Sequence, residues 1–100
     1  VISVEADSNY CIITADIQYR TRVSFGQIEK ELMADKRFLT INRGLIINMD
    51  YVRKMDDGIC TFKNGCIFPL NSRKARGLKQ AFIDYNFMLR HERNDKGGLA

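Results

Sequence analysis

Hydrophobic and polar residues alternate along much of the chain, which is the pattern of β-strands with one buried face. Seven runs have this pattern or are rich in β-forming residues: Val1–Ala6, Tyr10–Thr14, Gln18–Ser24, Phe38–Ile41, Tyr51–Met55, Ile59–Phe62 and Cys66–Phe68. We expect the first three to form a small antiparallel meander. The dipeptides Asp57-Gly58 and Asn64-Gly65 predict two type I′ hairpin turns among the last three runs, because these residues tolerate positive φ angles.

Two further segments have the spacing of amphipathic helices. The first is predicted over residues 25–34, after Ser24, which suits an N-cap. The second is predicted over residues 72–88, with Asn71 or Ser72 as its N-cap. Its apolar residues at helical spacing are Ala75, Leu78, Phe82, Tyr85 and Leu89. The predicted fold class is therefore mainly β, with antiparallel sheets and two helices.

One hundred residues are enough for one domain with a single hydrophobic core. We place this domain at residues 1–90 and expect the polar, glycine-bearing residues 91–100 to form a flexible C-terminal tail. The composition, with 45% hydrophobic and 28% charged residues, excludes a disordered chain. No apolar run approaches the roughly 18 residues that a transmembrane helix needs, so no membrane partner is expected.

Three cysteines, Cys11, Cys60 and Cys66, occur without a secretory signal. An odd number in this setting predicts reduced thiols in the cytoplasm. Each cysteine alternates with apolar neighbours, so we expect all three to be buried. The only histidine, His91, lies in the polar C-terminal segment, and no C-x-x-C pair occurs. The sequence therefore predicts neither a metal site nor a cofactor.

The net charge of the whole chain is +4, and its basic residues concentrate in the second half. Residues 1–50 hold six Lys or Arg against seven Asp or Glu, whereas residues 51–100 hold ten against five. One run of basic residues has no intervening acid: Arg73, Lys74, Arg76 and Lys79. Such a patch suits a phosphate-binding face, although a solvated helix face has the same composition.

Sequence motifs of enzymes are missing from the chain. It contains no phosphate-binding G-x-x-x-x-G-K-S/T, dinucleotide-binding G-x-G-x-x-G, nucleophile-bearing G-x-S-x-G or zinc-binding H-E-x-x-H. The adjacent carboxylates Asp56 and Asp57 lie in a predicted turn, where solvated acids are the rule. We therefore expect no catalytic residues and no enzymatic activity.

The segment Asn42–Asn48 breaks the alternating pattern, since polar Asn42 and Arg43 stand between two apolar runs, beside Gly44. We interpret it as a loop or a single helical turn that displays both polar side chains. Asn48 is interpreted as a structural amide that satisfies local backbone groups.

Four stretches follow one another along the chain: V-E-A-D-S-N-Y at Val4–Tyr10, R-F-L-T-I-N-R-G-L-I-I-N at Arg37–Asn48, the tyrosine-bearing strand and D-G hairpin at Tyr51–Gly58, and K-N-G-C-I-F-P-L-N-S-R-K at Lys63–Lys74. In this order they resemble the signature of the LytTR family of DNA-binding domains. The resemblance covers about Val1 to Phe87, nearly the whole chain. It implies a fold of antiparallel sheets and short helices that binds double-stranded DNA through loops, which enter successive major grooves.

The resemblance also implies a biological setting. Most members of the family are the C-terminal halves of bacterial response regulators, so an N-terminal receiver domain and an upstream sensor histidine kinase are the implied partners. Such proteins regulate transcription in the cytoplasm, and they usually bind in pairs on repeated promoter elements. The expected function is therefore sequence-specific DNA binding by the output domain of a two-component system.

By position, the resemblance places DNA-binding residues in three loops. They are Ser8, Asn9 and Tyr10 in the first, Asn42 and Arg43 in the second, and Asn71, Ser72 and Arg73 in the third. Lys74 and Arg76, with Arg22 as a further candidate, suit phosphates, which position a protein without reading sequence. The residue chemistry agrees, since Asn matches the N6/N7 edge of adenine and Arg the O6/N7 edge of guanine.

The sequence departs from the family pattern at three places. Gly44 stands where Ser is usual, Thr40 stands where Arg is common, and Asn71-Ser72 is shifted relative to the usual S-R. These departures bear on the DNA sequence that is bound and on the third-loop contact rather than on the fold.

Two other functions fit the same sequence. An RNA or single-strand binder would stack bases on tyrosines such as Tyr10, Tyr19 and Tyr51, but strand aromatics that alternate with apolar residues are expected to be buried. A protein-interaction β domain would make the basic patch incidental.

The oligomeric state is predicted from what the pattern lacks. No heptad repeat occurs, so we expect a monomer or a weak dimer that pairs on DNA. The outer face of the last helix, around Tyr85 and Met88, is the expected place for any dimer contact.

Overall fold

The computed structural model describes the backbone of residues 1–98 and the side chains of residues 1–92. The described chain forms eight strands, two α-helices and one 3₁₀ turn. In order they are β1 (Ser3–Asp7), β2 (Tyr10–Thr14), β3 (Gln18–Thr21), α1 (Phe25–Leu32), β4 (Phe38–Asn42), β5 (Leu45–Asn48), the 3₁₀ turn (Met49–Tyr51), β6 (Val52–Asp56), β7 (Ile59–Phe62), β8 (Ile67–Pro69) and α2 (Ala75–Gly98). The predicted fold class, antiparallel sheets with two helices, is confirmed.

The first sheet has five strands in the order β3-β2-β1-β5-β4, and every neighbouring pair is antiparallel. The predicted meander of β1, β2 and β3 is therefore present, but it is only part of a larger sheet. The β1–β5 register, which pairs Val4 with Ile46, joins the meander to the β4–β5 hairpin. The second sheet has three strands in the order β6-β7-β8.

Strand β5 lies between two hydrophobic layers, and all four of its residues are buried. Ile46 packs with Val4, Cys11 and Phe38 beneath Ile28 of α1. On the other face, the alternate residues of β5 pack into a second cluster built from both sheets and α2, whose buried members include Ile41, Leu45, Ile47, Val52, Phe62, Leu78 and Tyr85. The run of apolar residues in β5 follows from this burial on both faces.

The segment from Asn42 to Asn48 differs from its prediction. Asn42 ends β4, Arg43 and Gly44 form the turn of a β-hairpin, and Leu45–Asn48 form strand β5, so the predicted loop is limited to two residues. Periodicity cannot identify a strand that is buried on both faces, because its apolar residues do not alternate. The prediction is correct in one respect, since the turn exposes Arg43.

The two predicted hairpin turns fall where the sequence places them. Asp57 and Gly58 have φ angles of 52° and 73°, in agreement with type I′ geometry. The type I′ prediction is wrong for the second turn, because only Gly65 has a positive φ, of 91°. There the Gly65 N–H donates to Phe62 O over 3.0 Å and closes a longer turn that ends in a left-handed glycine.

The helices agree with the sequence in position more than in length. Ser24 caps α1, and its side chain accepts from the Gln27 N–H over 3.3 Å. Helix α2 begins at Ala75 instead of residue 72, and it runs on to Gly98 instead of ending at residue 88. A flexible tail over residues 91–100 stays a prediction, and Leu99 and Ala100 lie outside the described residues. No described helix has the length and apolar character to cross a membrane.

The cysteines follow their prediction in two cases of three. Cys11 and Cys60 are buried, and burial raises the pKa of each thiol, that of Cys60 to about 11. Cys66, on the turn before β8, is exposed, which corrects the expectation that it is buried. All three are free thiols.

Polar side chains connect the 3₁₀ turn to the start of the chain and to α2. Asn48 is the one buried polar residue among those described, and its Nδ2 donates to Val1 O over 2.8 Å while its Oδ1 accepts from the Asp50 N–H over 2.9 Å. Its predicted structural role is confirmed. The Tyr85 hydroxyl of α2 donates to Asp50 Oδ1 over 2.5 Å, and burial together with this carboxylate raises the pKa of Tyr85.

Replacing Asn48 with Ala should lower the free energy of unfolding by about 1–3 kcal/mol, because two partly buried hydrogen bonds to the backbone are lost. Urea unfolding of the two proteins measures the difference. The control is Asn64→Ala, which removes only an exposed turn bond to the Cys66 N–H and should cost less than about 1 kcal/mol. Equal losses in both variants would contradict a special role for Asn48.

The raised pKa of Tyr85 predicts a loss of stability at alkaline pH. A tyrosine in the unfolded chain ionises near pH 10, whereas folded Tyr85 keeps its proton to higher pH. The free energy of unfolding should therefore fall as pH rises above about 10, and Tyr85→Phe should reduce that fall. The exposed Tyr51→Phe is the control and should retain it. If both variants lose stability with pH as the parent does, the buried phenol is not the source.

Candidate nucleic-acid interface

The first predicted loop is the tight turn between β1 and β2. Asp7 pairs with Tyr10, so only Ser8 and Asn9 connect the strands, and both are exposed. Ser8 has a φ of 53°, a left-handed conformation that non-glycine residues adopt uncommonly. The turn therefore projects two small polar side chains beyond the end of the sheet.

Tyr10 contacts two arginines, one in β3 and one just after it. The Arg20 guanidinium lies 4.3 Å from the centre of the Tyr10 ring, and Arg22 Nη2 donates to the Tyr10 hydroxyl over 3.2 Å. Arg20 also lies 3.7 Å from the Asp7 carboxylate. The sequence analysis proposed Arg22 as a phosphate contact and not Arg20, although the alternation along residues 18–24 places both on one face.

The second predicted loop is the turn of the β4–β5 hairpin. Gly44 has a φ of 79°, and a Cβ atom there would lie 3.1 Å from that of Ala6. The backbones of Gly44 and Ala6 lie close enough to form a hydrogen bond, in which the Ala6 N–H donates to Gly44 O over 2.8 Å. Arg43 is exposed, and no hydrogen bond or ion pair holds its side chain within the described part of the chain.

Asn42 links the second loop to the third. Its Nδ2 donates to Pro69 O, at the end of β8, over 2.7 Å. This bond joins the two sheets beside the segment that leads into α2. The structure thus gives Asn42 a scaffold contact that the sequence did not suggest, and its contact with a base stays a prediction.

The third predicted segment is a turn that precedes α2. Asn71, Ser72 and Arg73 are all exposed, and Asn71 Oδ1 accepts from the Arg73 N–H over 2.9 Å. The first helical bond runs from the Leu78 N–H to Lys74 O, so Asn71 stabilises the preceding turn rather than capping the helix.

The basic run at the start of α2 divides into two parts. Lys79 Nζ lies 2.8 Å from Asp56 Oδ1, and this bond raises the pKa of Lys79 and lowers that of Asp56. Arg76 lines the same shallow pocket as Asp56 and Asp57. Arg73 and Lys74 are exposed, and within the described residues neither has an ion pair.

Three segments that are distant in sequence therefore meet at one end of the molecule. The Ala6–Gly44 bond joins the first to the second, and the Asn42–Pro69 bond joins the second to the third. We call this surface the loop edge and define it as residues 8–10, 42–44 and 71–74. Arg20 and Arg22 flank it, so the exposed charge there is predominantly positive.

The chemistry available at the loop edge is hydrogen bonding and charge. Within the described residues, no three His, Cys, Asp or Glu side chains are grouped in a way that could hold a metal ion. Guanidinium, amide and hydroxyl groups on short turns suit the grooves and phosphates of a nucleic acid.

Comparison with known proteins identifies the family of the chain. The family model of the LytTr DNA-binding domain matches residues 1–83. Among solved structures, the chain is similar to the LytTr DNA-binding domain of a methyl-accepting/DNA response regulator from Bacillus cereus, at 17% identity and a TM-score of 0.66, with 81% of this chain and 79% of that one covered. The search of curated proteins found no match. Four fifths of the chain match the family model and the fold is shared, so this protein belongs to the LytTR family of DNA-binding domains.

Proposed function

We propose that this domain binds double-stranded DNA sequence-specifically and that the loop edge is the surface that contacts it. The observation that carries the proposal is the joining of three exposed polar turns by the Ala6–Gly44 and Asn42–Pro69 bonds. A rigid arrangement of separate turns can contact grooves at fixed spacing, because bonds between the turns set the distances in advance.

Arg43 is the proposed base-reading residue of the second loop. It stands at the tip of a two-residue turn whose neighbours, Asn42 and Gly44, are fixed by bonds to other strands. A guanidinium presented in this way can donate two parallel bonds to the O6 and N7 atoms of guanine in the major groove. Ser8, Asn9, Ser72 and Arg73 are the proposed polar contacts of the other two loops.

Lys74 is the proposed phosphate contact at the start of α2. It is exposed, and the free backbone N–H groups of a helix N-terminus also favour an anion. Arg20 and Arg22, held on the Tyr10 ring, are proposed to contact the backbone on the other side. Arg76 is proposed to contribute less to phosphate binding than its sequence position suggests, because Asp56 and Asp57 line the same pocket.

The single-strand alternative is less favoured by the placement of the tyrosines. The expectation that the strand aromatics are buried is wrong for two of them, since Tyr19 is 54% and Tyr51 43% exposed. However, Tyr10 and Tyr19 lie on opposite faces of the first sheet, and Tyr51 lies in the 3₁₀ turn after β5. The three rings form no common surface on which successive bases could stack.

The biological setting is proposed from the usual organisation of the family. In the full protein, a phosphorylatable receiver domain would precede this domain, and a sensor histidine kinase would act upstream, in the cytoplasm. The domain would act in transcription regulation, in pairs on repeated promoter elements. Major-groove reading by successive loops belongs to the same proposal.

Replacing Arg43 with Ala should weaken binding to the preferred duplex by about 1–3 kcal/mol, or roughly 5- to 150-fold, and affect a scrambled duplex much less. The reason is that a base contact is lost while phosphate contacts remain. The preferred site is first selected from a random duplex pool, and fluorescence anisotropy then measures both affinities. The matched control is Arg53→Ala, an exposed arginine of β6 outside the loop edge. Equal losses on both duplexes would make Arg43 a phosphate contact instead.

Replacing Lys74 with Ala should weaken binding to all duplexes alike and reduce the slope of log K against log salt by about one, because one phosphate contact is lost. Lys79→Ala is the control: Asp56 already neutralises Lys79, so the slope should hardly change. Affinities at four or five salt concentrations give the slope for each protein. A larger change in the Lys79 variant would contradict the proposed division of the basic run.

A further inference from the structure

A groove of about 1130 Å³ runs along the middle of α2, from Phe82 to Arg90. Its other walls come from residues 35–37, before β4, and from Met49, Asp50, Val52, Arg53 and Lys63. Arg37 precedes β4 and Arg43 follows it, so about 16 Å of extended strand separates the groove from the loop edge. The groove and the loop edge therefore lie at the two ends of β4.

Two large apolar side chains of the groove are exposed to solvent. Ile83 is 46% and Phe87 67% exposed, and they lie one turn apart on α2. The Phe87 ring stacks on His91, with ring centroids 5.6 Å apart. Tyr85, which the sequence suggested for an outer contact, is buried instead. The apolar surface available to a partner is thus Ile83 and Phe87, with half-buried Met88 beside them.

The charged part of the groove is predominantly positive, with five basic and two acidic side chains. Both acids are already bonded within the domain. Arg37 lies 2.6 Å from Asp35 and lowers the pKa of that carboxyl to about 2, while Asp50 accepts the hydroxyl of Tyr85. The four other basic residues have no ion pair within the described part of the chain: Lys36, Arg53, Lys63 and Arg90.

We propose that this groove is a docking site for an acidic amphipathic helix of another protein. Its apolar side would cover Ile83 and Phe87, and its carboxylates would face Arg53, Lys63 and Arg90. A helix in an apolar groove with charged walls is a common mode of recognition. Complementary charge favours this occupant over a second copy, because two basic grooves would repel each other. Exposed isoleucine and phenylalanine at the groove likewise argue against nucleic acid as the occupant.

The position of the groove has a consequence for the activity of the domain. None of the groove residues belongs to the loop edge, so a helix bound in the groove leaves the three polar turns free. The domain could therefore hold DNA and a partner protein together. The docking proposal itself does not depend on DNA binding.

The experiment uses the full 100-residue chain and a defined probe. The probe is a fluorescein-labelled 18-residue peptide of leucine, alanine and glutamate, with leucines at i, i+3, i+4 and i+7 spacing. Anisotropy should show saturable binding of this peptide. The same peptide with lysine in place of glutamate should bind at least tenfold more weakly, and so should a scrambled peptide. Equal binding of the acidic and basic peptides would overturn the proposal.

Variants locate the binding. Phe87→Asp and Arg90→Glu should each weaken acidic-peptide binding at least fivefold. The matched control is Ile17→Asp, at an isoleucine that is 61% exposed in the turn before β3, on the far edge of the first sheet from the groove. It should bind the peptide like the parent protein. Circular dichroism checks that each variant is folded, and parent-like binding by both groove variants would overturn the proposal.

Two further measurements distinguish peptide docking from DNA binding and from self-association. Affinity for the selected duplex should be unchanged in all three variants, so a failure of DNA binding and a failure of peptide binding are seen independently. Sedimentation of the peptide-free chain should show a monomer at micromolar concentration. A dimer that Phe87→Asp disrupts would assign the groove to a second copy and overturn the proposal.

Discussion

Strand β5 runs between two hydrophobic layers, with Ile46 packed under α1 and Ile47 packed toward the second sheet and α2. This double burial constrains the rest of the structure. A strand covered on both faces has its register fixed from both sides, since a shift by one residue would exchange the two sets of side chains. Its neighbours β1 and β4 are thereby fixed as well, and so are the turns that follow or precede them.

The arrangement of the loop edge follows from that register. Gly44 immediately precedes β5. Its carbonyl accepts a hydrogen bond from the Ala6 N–H, just before the first turn. The absence of a side chain at Gly44 allows this approach, so the departure from the usual family residue has a local structural use. Asn42 then carries the fixed position across to Pro69 and the start of α2. A hydrophobic constraint in the centre of the domain is thus converted into fixed distances between polar turns at its edge.

Much of the fold could be predicted from local sequence, because alternation, the Asp57-Gly58 turn and the Ser24 cap each depend on a few neighbouring residues. The strand nature of residues 45–48 could not, since it results from packing on both faces. The same limit applies to charge: Lys79 belongs to the basic run in sequence, but a contact with Asp56, 23 residues away, neutralises it. The scaffold role of Asn42 and the exposure of Phe87 likewise depend on contacts that periodicity does not encode. The family resemblance identified the three loops. That they lie together at one edge follows only from the structure.

The central claim is that the three turns of the loop edge contact one duplex together. Amide chemical shifts of the isotope-labelled domain, recorded while the selected duplex is added, test it most directly. We expect the shifts of residues 8–10, 42–44 and 71–74 to change together along one binding curve, while those of Ile83 and Phe87 stay unchanged. Changes concentrated in the middle of α2, around Ile83 and Phe87, with the three turns unaffected, would contradict this.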